Sequence, residues 1–500
     1  ASGSGFPDDQ VLTNLNSAAK KNSISSSYSS NTLASFLSRL EYKFNNRYLL
    51  TLNFRADGSS QFGPDKRWGY FPSGAVAWII TEENFMKDYS NIVSYLKLRG
   101  SVGKTGSQNL GAYDWRTLMG SATYNGAAGI VPSSLGNDIL QWEEQIQKEV
   151  GLDYGFWDDR IRGTLGYYQK KVDNLLYSDP VPTSSSFSSV YQNIGSLKNR
   201  GIEFDVRVDI IKNVQKDLTW NVDFNIARNR TTLEKLNSSD GYFGGGAYDY
   251  FKIEEGGETG RFYGYKDAGR LFMTNEELVG LKTIDPKTGT LKYYRDDYNY
   301  ERQGDVYIMD LDGDGQITAD GDRTVIGNAN PDFFGGFGST LYWKGLMLNA
   351  VFSYSVGGDR FWDEEKNSSG DMNVYNTSNR ILDSWTVNPG VNASYPRAMY
   401  YGWGSNSIIT DRYIHDASYL RMTALNLSYR LPKHLYKNSI LNAVEFTFQA
   451  TNLFTWTKYP GMDPQGNFST TYSAFYNMGI DYSTYPSART YNFGIKLTLK

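Results

Sequence analysis

The chain has no cysteine, which removes disulfides, thiolate metal ligands and cysteine nucleophiles together. Its only histidines are His415 and His434, and it lacks H-E-x-x-H, G-x-S-x-G and G-x-x-x-x-G-K strings, so hydrolase and nucleotide chemistry have no candidate site. No apolar run is long enough for a membrane helix. There is no long basic run and the formal net charge is -4, so the electrostatic footprint of a nucleic-acid partner is missing. The opening residues, ASGSGFPDDQ, have neither the charged nor the apolar region of a secretory signal.

What is present is β-structure. Gly 50, Tyr 39, Phe 26 and Trp 11 in 500 residues fit strands with aromatic girdles, and a negative mean hydropathy is compatible with a barrel, whose membrane signal lies in alternation. In the stretch 201–228, Ile202, Phe204, Val206, Val208 and Ile210 alternate with Glu203, Asp205, Arg207 and Asp209. After a polar connection, Leu218, Trp220, Val222, Phe224 and Ile226 alternate with Thr219, Asn221, Asp223 and Asn225. This is a two-faced hairpin whose strands meet the about 9–11 residues needed to cross a bilayer.

The same alternation predicts a hairpin turning at Asn45-Asn46 and further strands near 74–81, 95–103, 147–156, 161–172, 337–343, 346–356, 420–431, 443–453 and 490–499. Connections at 45–47, 82–94, 157–160, 211–217, 344–345 and 432–442 are short. Those at 56–73, 104–146, 173–199, 229–336, 357–419 and 454–489 are long. Strict short–long alternation is the pattern of an outer-membrane barrel, with periplasmic turns at one end and extracellular loops at the other. The expected fold is therefore all-β: a transmembrane antiparallel β-barrel with about 13 strands in residues 36–500, preceded by a Ser-rich extracellular loop segment, 1–35. An odd count leaves unpaired backbone edges in lipid, so these strands are expected to be the C-terminal part of a larger barrel.

Several strings resemble the SusC/RagA family of TonB-dependent outer-membrane transporters from Bacteroidetes: LTLNFRADGSSQFGPDKRWGYFPSGAVAWII from Leu50, LKLRGSVGKTGSQ from Leu96, WEEQIQKEVGLDYGFWDDRI from Trp142 and NIGSLKNRGIEFDV from Asn193. GDVYIMDLDGDGQIT, DASYLRMTALNLSYRLP and ATNLFTWTKYPGMDPQ continue in the family's order. The resemblance implies a barrel of about 22 strands around a plug. The plug and the TonB-contacting segment of such proteins lie upstream and are not found in these residues. It further implies import of a bulky nutrient, a glycan or an oligopeptide, with TonB supplying energy and a SusD-like surface lipoprotein closing the mouth. A dimer of transporter–lid units is also implied, surrounded by outer-membrane lipid. The competing reading is a soluble or surface-exposed all-β glycan-binding protein, which would bury its strand faces against one another.

Two sets of residues are candidates for sites. Asp310, Asp312, Asp314 and Gly315 match the opening of a calcium loop, with Gln316 at its seventh position. Gly321 stands where a bidentate Glu would close the loop, so closure falls to Asp320 or Asp322; an Asp/Gly-rich turn is the other reading. The expected role of calcium is structural, pinning the 229–336 loop. The loop aromatics Tyr248, Tyr250, Phe251, Trp362 and Trp403 are expected either to contact substrate or lid, or to hold the loops together. The acidic groups Glu143-Glu144 and Asp363-Glu364-Glu365 are expected to be solvated faces, with no catalytic role.

Overall fold

The computed structural model of the protein describes residues 2–4, 20–23, 29–124, 127–236, 242–244, 250–273, 282–284, 291–293, 303–315, 317–370, 377–390, 393–398, 408–437, 440–466, 478–482 and 484–499. Thirteen strands form one antiparallel sheet in sequence order. They are β1 (Leu33–Phe44), β2 (Tyr48–Ser59), β3 (Trp68–Ile79), β4 (Val93–Ser107), β5 (Glu143–Phe156), β6 (Ile161–Asp173) and β7 (Ser196–Asn213). The rest are β8 (Leu218–Lys235), β9 (Phe333–Trp343), β10 (Leu346–Val356), β11 (Tyr419–Arg430), β12 (Leu441–Thr457) and β13 (Thr490–Leu499). Every strand read from alternation is present. Several run further than expected at the long-loop end, where β7 and β8 continue as a paired ribbon to Ser196 and Lys235.

Among the described residues the sheet is open, with β1 and β13 each paired on one side only. Tight turns join strands at one end. Asn45 and Asn46 (φ 51° and 55°) and Lys344 and Gly345 (φ 47° and 88°) take the left-handed backbone that a two-residue hairpin of matching twist requires.

Register separates the two faces cleanly. Residues directly opposite share a face, and the pairs Lys97–Asp153, Ser101–Glu149, Thr164–Asp205, Arg207–Asp223 and Asn349–Asn426 trace a polar face across the sheet. The other face carries Leu40, Leu52, Val76, Leu98, Leu152, Leu165, Phe204, Val222, Phe337, Phe352, Leu425, Phe448 and Phe493. These apolar side chains are not packed on a second sheet: Phe36 is 68% exposed and Phe493 81%. Exposure on this scale far exceeds what a soluble monomer carries. Near the turn end Tyr42, Phe44, Tyr48 and Trp78 form a run of stacked rings 6.4 to 6.5 Å apart, and near the loop end Phe36–Trp68 and Phe54–Tyr70 stack at 6.1 and 6.3 Å. An apolar band between two aromatic girdles is the outer surface of a membrane barrel.

The buried core lies elsewhere. Its clusters sit at the long-loop end, the largest uniting Phe251, Phe262, Ala329, Phe361, Ile409, Tyr413 and Ile480 from three different loops. A sandwich would place its core between strand faces, so this distribution speaks against the soluble alternative.

Candidate functional site

The polar wall of the sheet and the loop body above it are the surfaces able to meet a solute. On the wall, Lys97 Nζ lies 3.0 Å from Asp153, Arg99 Nε lies 3.2 Å from the same carboxylate, and Arg99 also pairs with Glu149. Gly151 stands opposite Arg99, and a Cβ there would come within 2.6 Å of the guanidinium carbon. The glycine lets the arginine lie flat along the wall. Gly201 does the same for Tyr168, whose ring would be 2.6 Å from a Cβ. Half-exposed ion pairs of this kind contribute at most about 1 kcal/mol each; their effect is to fix where charge sits. Above them a hollow of about 530 Å³ is lined by Arg99, Glu149, Thr164, Tyr168, Lys170, Asn199 and Glu203. The sequence set Glu203, Asp205, Arg207, Asp223 and Asn225 on the polar side of the 201–228 hairpin, and that side belongs to this inner wall. It did not single out Arg99, Glu149 or Lys170, although the same parity rule places them on this face.

The loop body is stapled by strand pairing as well as by its core. Residues Asp359–Trp362 pair antiparallel with Ile414–Asp416 and parallel with Ile480–Asp481, joining the 357–419 and 454–489 loops. Phe251 and Trp362, two of the expected contact residues, are buried inside this body. The ring of Tyr250 packs edge-on against Phe361 at 4.8 Å, and its hydroxyl donates to Asp363 Oδ1 at 2.5 Å. Burial, with Asp363 beside it, pushes the Tyr250 hydroxyl well above the usual phenol range, so it remains a neutral donor. These three rings therefore hold the loops together, and the platform reading finds no support in their placement. Tyr248 and Trp403 lie outside the described residues.

Asp363 and Glu365 correct a second expectation, for both are buried and not solvated. Asp363 also accepts from Asn367 at 2.7 Å, and Glu365 binds Arg380 at 2.8 Å, the Tyr395 hydroxyl at 3.0 Å and His415 Nε2 at 2.6 Å. Each is saturated by structural partners, as a buried carboxylate must be. The signal was invisible in sequence because most of the partners come from distant segments.

In the expected calcium loop, one carboxylate oxygen each of Asp310, Asp312 and Asp314 lie within 4.8 Å of one another. Asp310 accepts from the N–H groups of Gly313 and Gly315, whose φ of 76° and 79° only glycine adopts freely. The Asp312 carboxyl is held above the usual range: the Asp314 N–H draws it down, but desolvation and the charges of Asp314 and Asp322 outweigh that bond. Asp322 is fully buried and takes the N–H groups of Leu311 at 2.7 Å and Thr318 at 2.6 Å, so it closes the loop on itself. Asp320 is exposed and stands outside the trio, and Gln316 lies outside the described residues. Converging carboxylates on a glycine-rich turn fit a hard cation in donor type.

A lipid-facing barrel wall with a charged inner face and a cap of extracellular loops defines an outer-membrane channel or transporter. Comparison with known proteins makes this specific. The chain belongs to the family described as TonB dependent receptor-like, beta-barrel, whose pattern matches residues 2–453. It is 33% identical over 495 residues to TonB-dependent receptor P3 of Formosa agariphila, covering 94% of this chain and 46% of that protein. It is 32% identical over 483 residues to TonB-dependent receptor SusC of Bacteroides thetaiotaomicron, covering 93% of this chain and 44% of SusC. Among solved structures it superposes on the RagAB peptide importer in its closed-closed state with a TM-score of 0.75 at 26% identity, covering 99% of this chain and 51% of that one. The chain thus spans about half the length of the relatives it matches. It is a SusC/RagA-type barrel of the outer membrane, and its family is one of transporters and not of enzymes.

Proposed function

We propose that this chain forms the lumen wall and loop cap of a TonB-dependent importer of a bulky polar nutrient, a glycan or an oligopeptide. The observation that carries the reading is the inner wall itself. Its hollow sets Arg99 and Lys170 beside Glu149 and Glu203, with Thr164, Tyr168 and Asn199 between them. Such a surface offers both signs of charge and many hydrogen bonds to a large hydrophilic solute or to a plug. The relation to a peptide importer and to SusC supports the same reading.

The partners follow from the surfaces left open. The free edges of β1 and β13 need further barrel strands, supplied with a plug and a TonB-contacting segment by an upstream portion. The loop body, held rigid by a three-loop core, is the seat for a SusD-like surface lipoprotein, and two such transporter–lid units would pair. Calcium at Asp310, Asp312 and Asp314 would pin the 229–336 loop.

The test is uptake of fluorescent oligopeptides and oligosaccharides by cells with and without the gene. Loss of one class on deletion, and its return on complementation, is the expected result; unchanged uptake of both would sink the proposal. For calcium, Asp310→Asn with Asp312→Asn is expected to abolish terbium luminescence and to speed tryptic cleavage within 303–328 several-fold, as chelator does to the unaltered protein. Equal cleavage with calcium and with chelator would leave the turn as a metal-free Asp/Gly element.

A further inference from the structure

The outward wall changes character along four adjacent strands. On several strands an aromatic ring stands eight residues from the turn-end girdle, as Tyr70 does from Trp78, Phe36 from Phe44 and Tyr354 from Leu346. On β5 to β8 the same step from Phe156, Ile161, Val208 and Trp220 arrives instead at Lys148, Gln169, Arg200 and Arg228. Eight residues of tilted strand rise about 20 Å, close to the upper edge of an apolar band about 25 Å tall. Four adjacent strands thus put cations or an amide where a headgroup lies.

These side chains share the outward face. Lys148 is opposite Val102 and Gln169, Gln169 is opposite Arg200, and Arg228 is opposite the outward-facing Ile202. Strands sit about 4.8 Å apart, so Lys148 and Arg200 start about 10 Å from each other and both reach a single group between them. Neighbouring cations are already taken: Arg230 by Glu258 at 2.7 Å, Lys171 by Asp173 at 3.0 Å and Lys104 by Glu144 at 2.6 Å. Lys148, Arg200 and Arg228 are exposed and make no ion pair or hydrogen bond among the described residues. Below Lys148 and Gln169 lies a lipid-facing hollow of about 630 Å³, walled by Leu52, Val76, Val102 and Val150 and deepened by Gly74 and Gly100.

We propose that the outward wall from β2 to β8 carries a specific site for one phosphorylated lipid of the outer membrane's external leaflet. Its phosphate is held by Lys148, Arg200 and Arg228, and one acyl chain fills the hollow beneath. Arginine matches a phosphate with two parallel N–H donors, and cations at a headgroup level favour an anionic lipid over a zwitterionic one.

The test is native mass spectrometry of the protein purified from its outer membrane in mild detergent, delipidated, and titrated with lipid A, dephosphorylated lipid A or phosphatidylcholine. One lipid A is expected to bind at least tenfold more tightly than either control. The triple variant Lys148→Ala, Arg200→Ala, Arg228→Ala should lose that preference, while Lys148→Arg, Arg200→Lys, Arg228→Lys keeps it. Gly100→Leu should also weaken binding, by filling the hollow; a Cβ there meets nothing nearer than 3.8 Å, so the strand accommodates it. Heat-modifiable gel mobility shows that each variant is folded. Equal binding of lipid A by the triple-alanine variant, no preference for the phosphorylated lipid, or full displacement by inorganic phosphate would each overturn the site.

Discussion

Val206→Arg is expected to destabilise the barrel by about 2–4 kcal/mol, the usual cost of a cation facing lipid near the bilayer midplane. Glu203→Arg, three residues earlier on the same strand, should cost far less. Both positions lie in β7 and differ only in face: Val206 pairs with Phe224 and Gly163 on the outward side, and Glu203 lines the inner hollow. Arg207, beside Val206, already shows that the strand accepts an arginine on its inner face. The difference is read by urea unfolding in lipid vesicles, following the gel shift between folded and heat-unfolded forms. If the two variants unfold at the same urea concentration, the outward face is not in lipid.

That contrast rests on the part of the fold most legible in sequence. A barrel strand stands between two solvents, so every second side chain is selected for apolarity and the period survives in single residues such as Ile202, Phe204 and Val206. Turn chemistry was equally readable at Asn45-Asn46. The loop body was not. Tyr250 and Phe361 come from two different loops, Glu365 and His415 from points 50 residues apart in one loop, and nothing in their spacing records the encounter. Phe251 and Trp362 look like exposed binding rings in sequence because long loops usually are exposed. Here the loops bury one another, which also explains why Asp363 and Glu365 are saturated and not solvated. The trio of aspartates lies between these cases: its glycines fix a local path that spacing can encode, whereas the burial of Asp322 depends on the fold of the loop around it.

Phe361→Ala should have the largest effect of any single truncation in the loop body, about 3–5 kcal/mol, as for a fully buried phenylalanine elsewhere. Phe361 has no exposed surface and stands where the loops converge, with Tyr250 at 4.8 Å, Tyr413 at 6.2 Å and Phe262 at 6.3 Å between ring centroids. Its backbone lies in the strand shared with Ile414–Asp416 and Ile480–Asp481. The cavity it leaves therefore touches all three loops at once, and they are expected to loosen together. Hydrogen exchange should accelerate in 250–265, 409–416 and 478–482 alike, while amides of β5 to β8 below keep their protection. Phe85→Ala, at a ring 60% exposed on the turn side, serves as the control and should change stability by no more than about 0.5 kcal/mol. Faster exchange confined to 357–362 would show that the loops are independent, and the rigid seat proposed for the lipoprotein would fail with it. Joint loosening with loss of lipoprotein co-purification would tie the shared core directly to the lid.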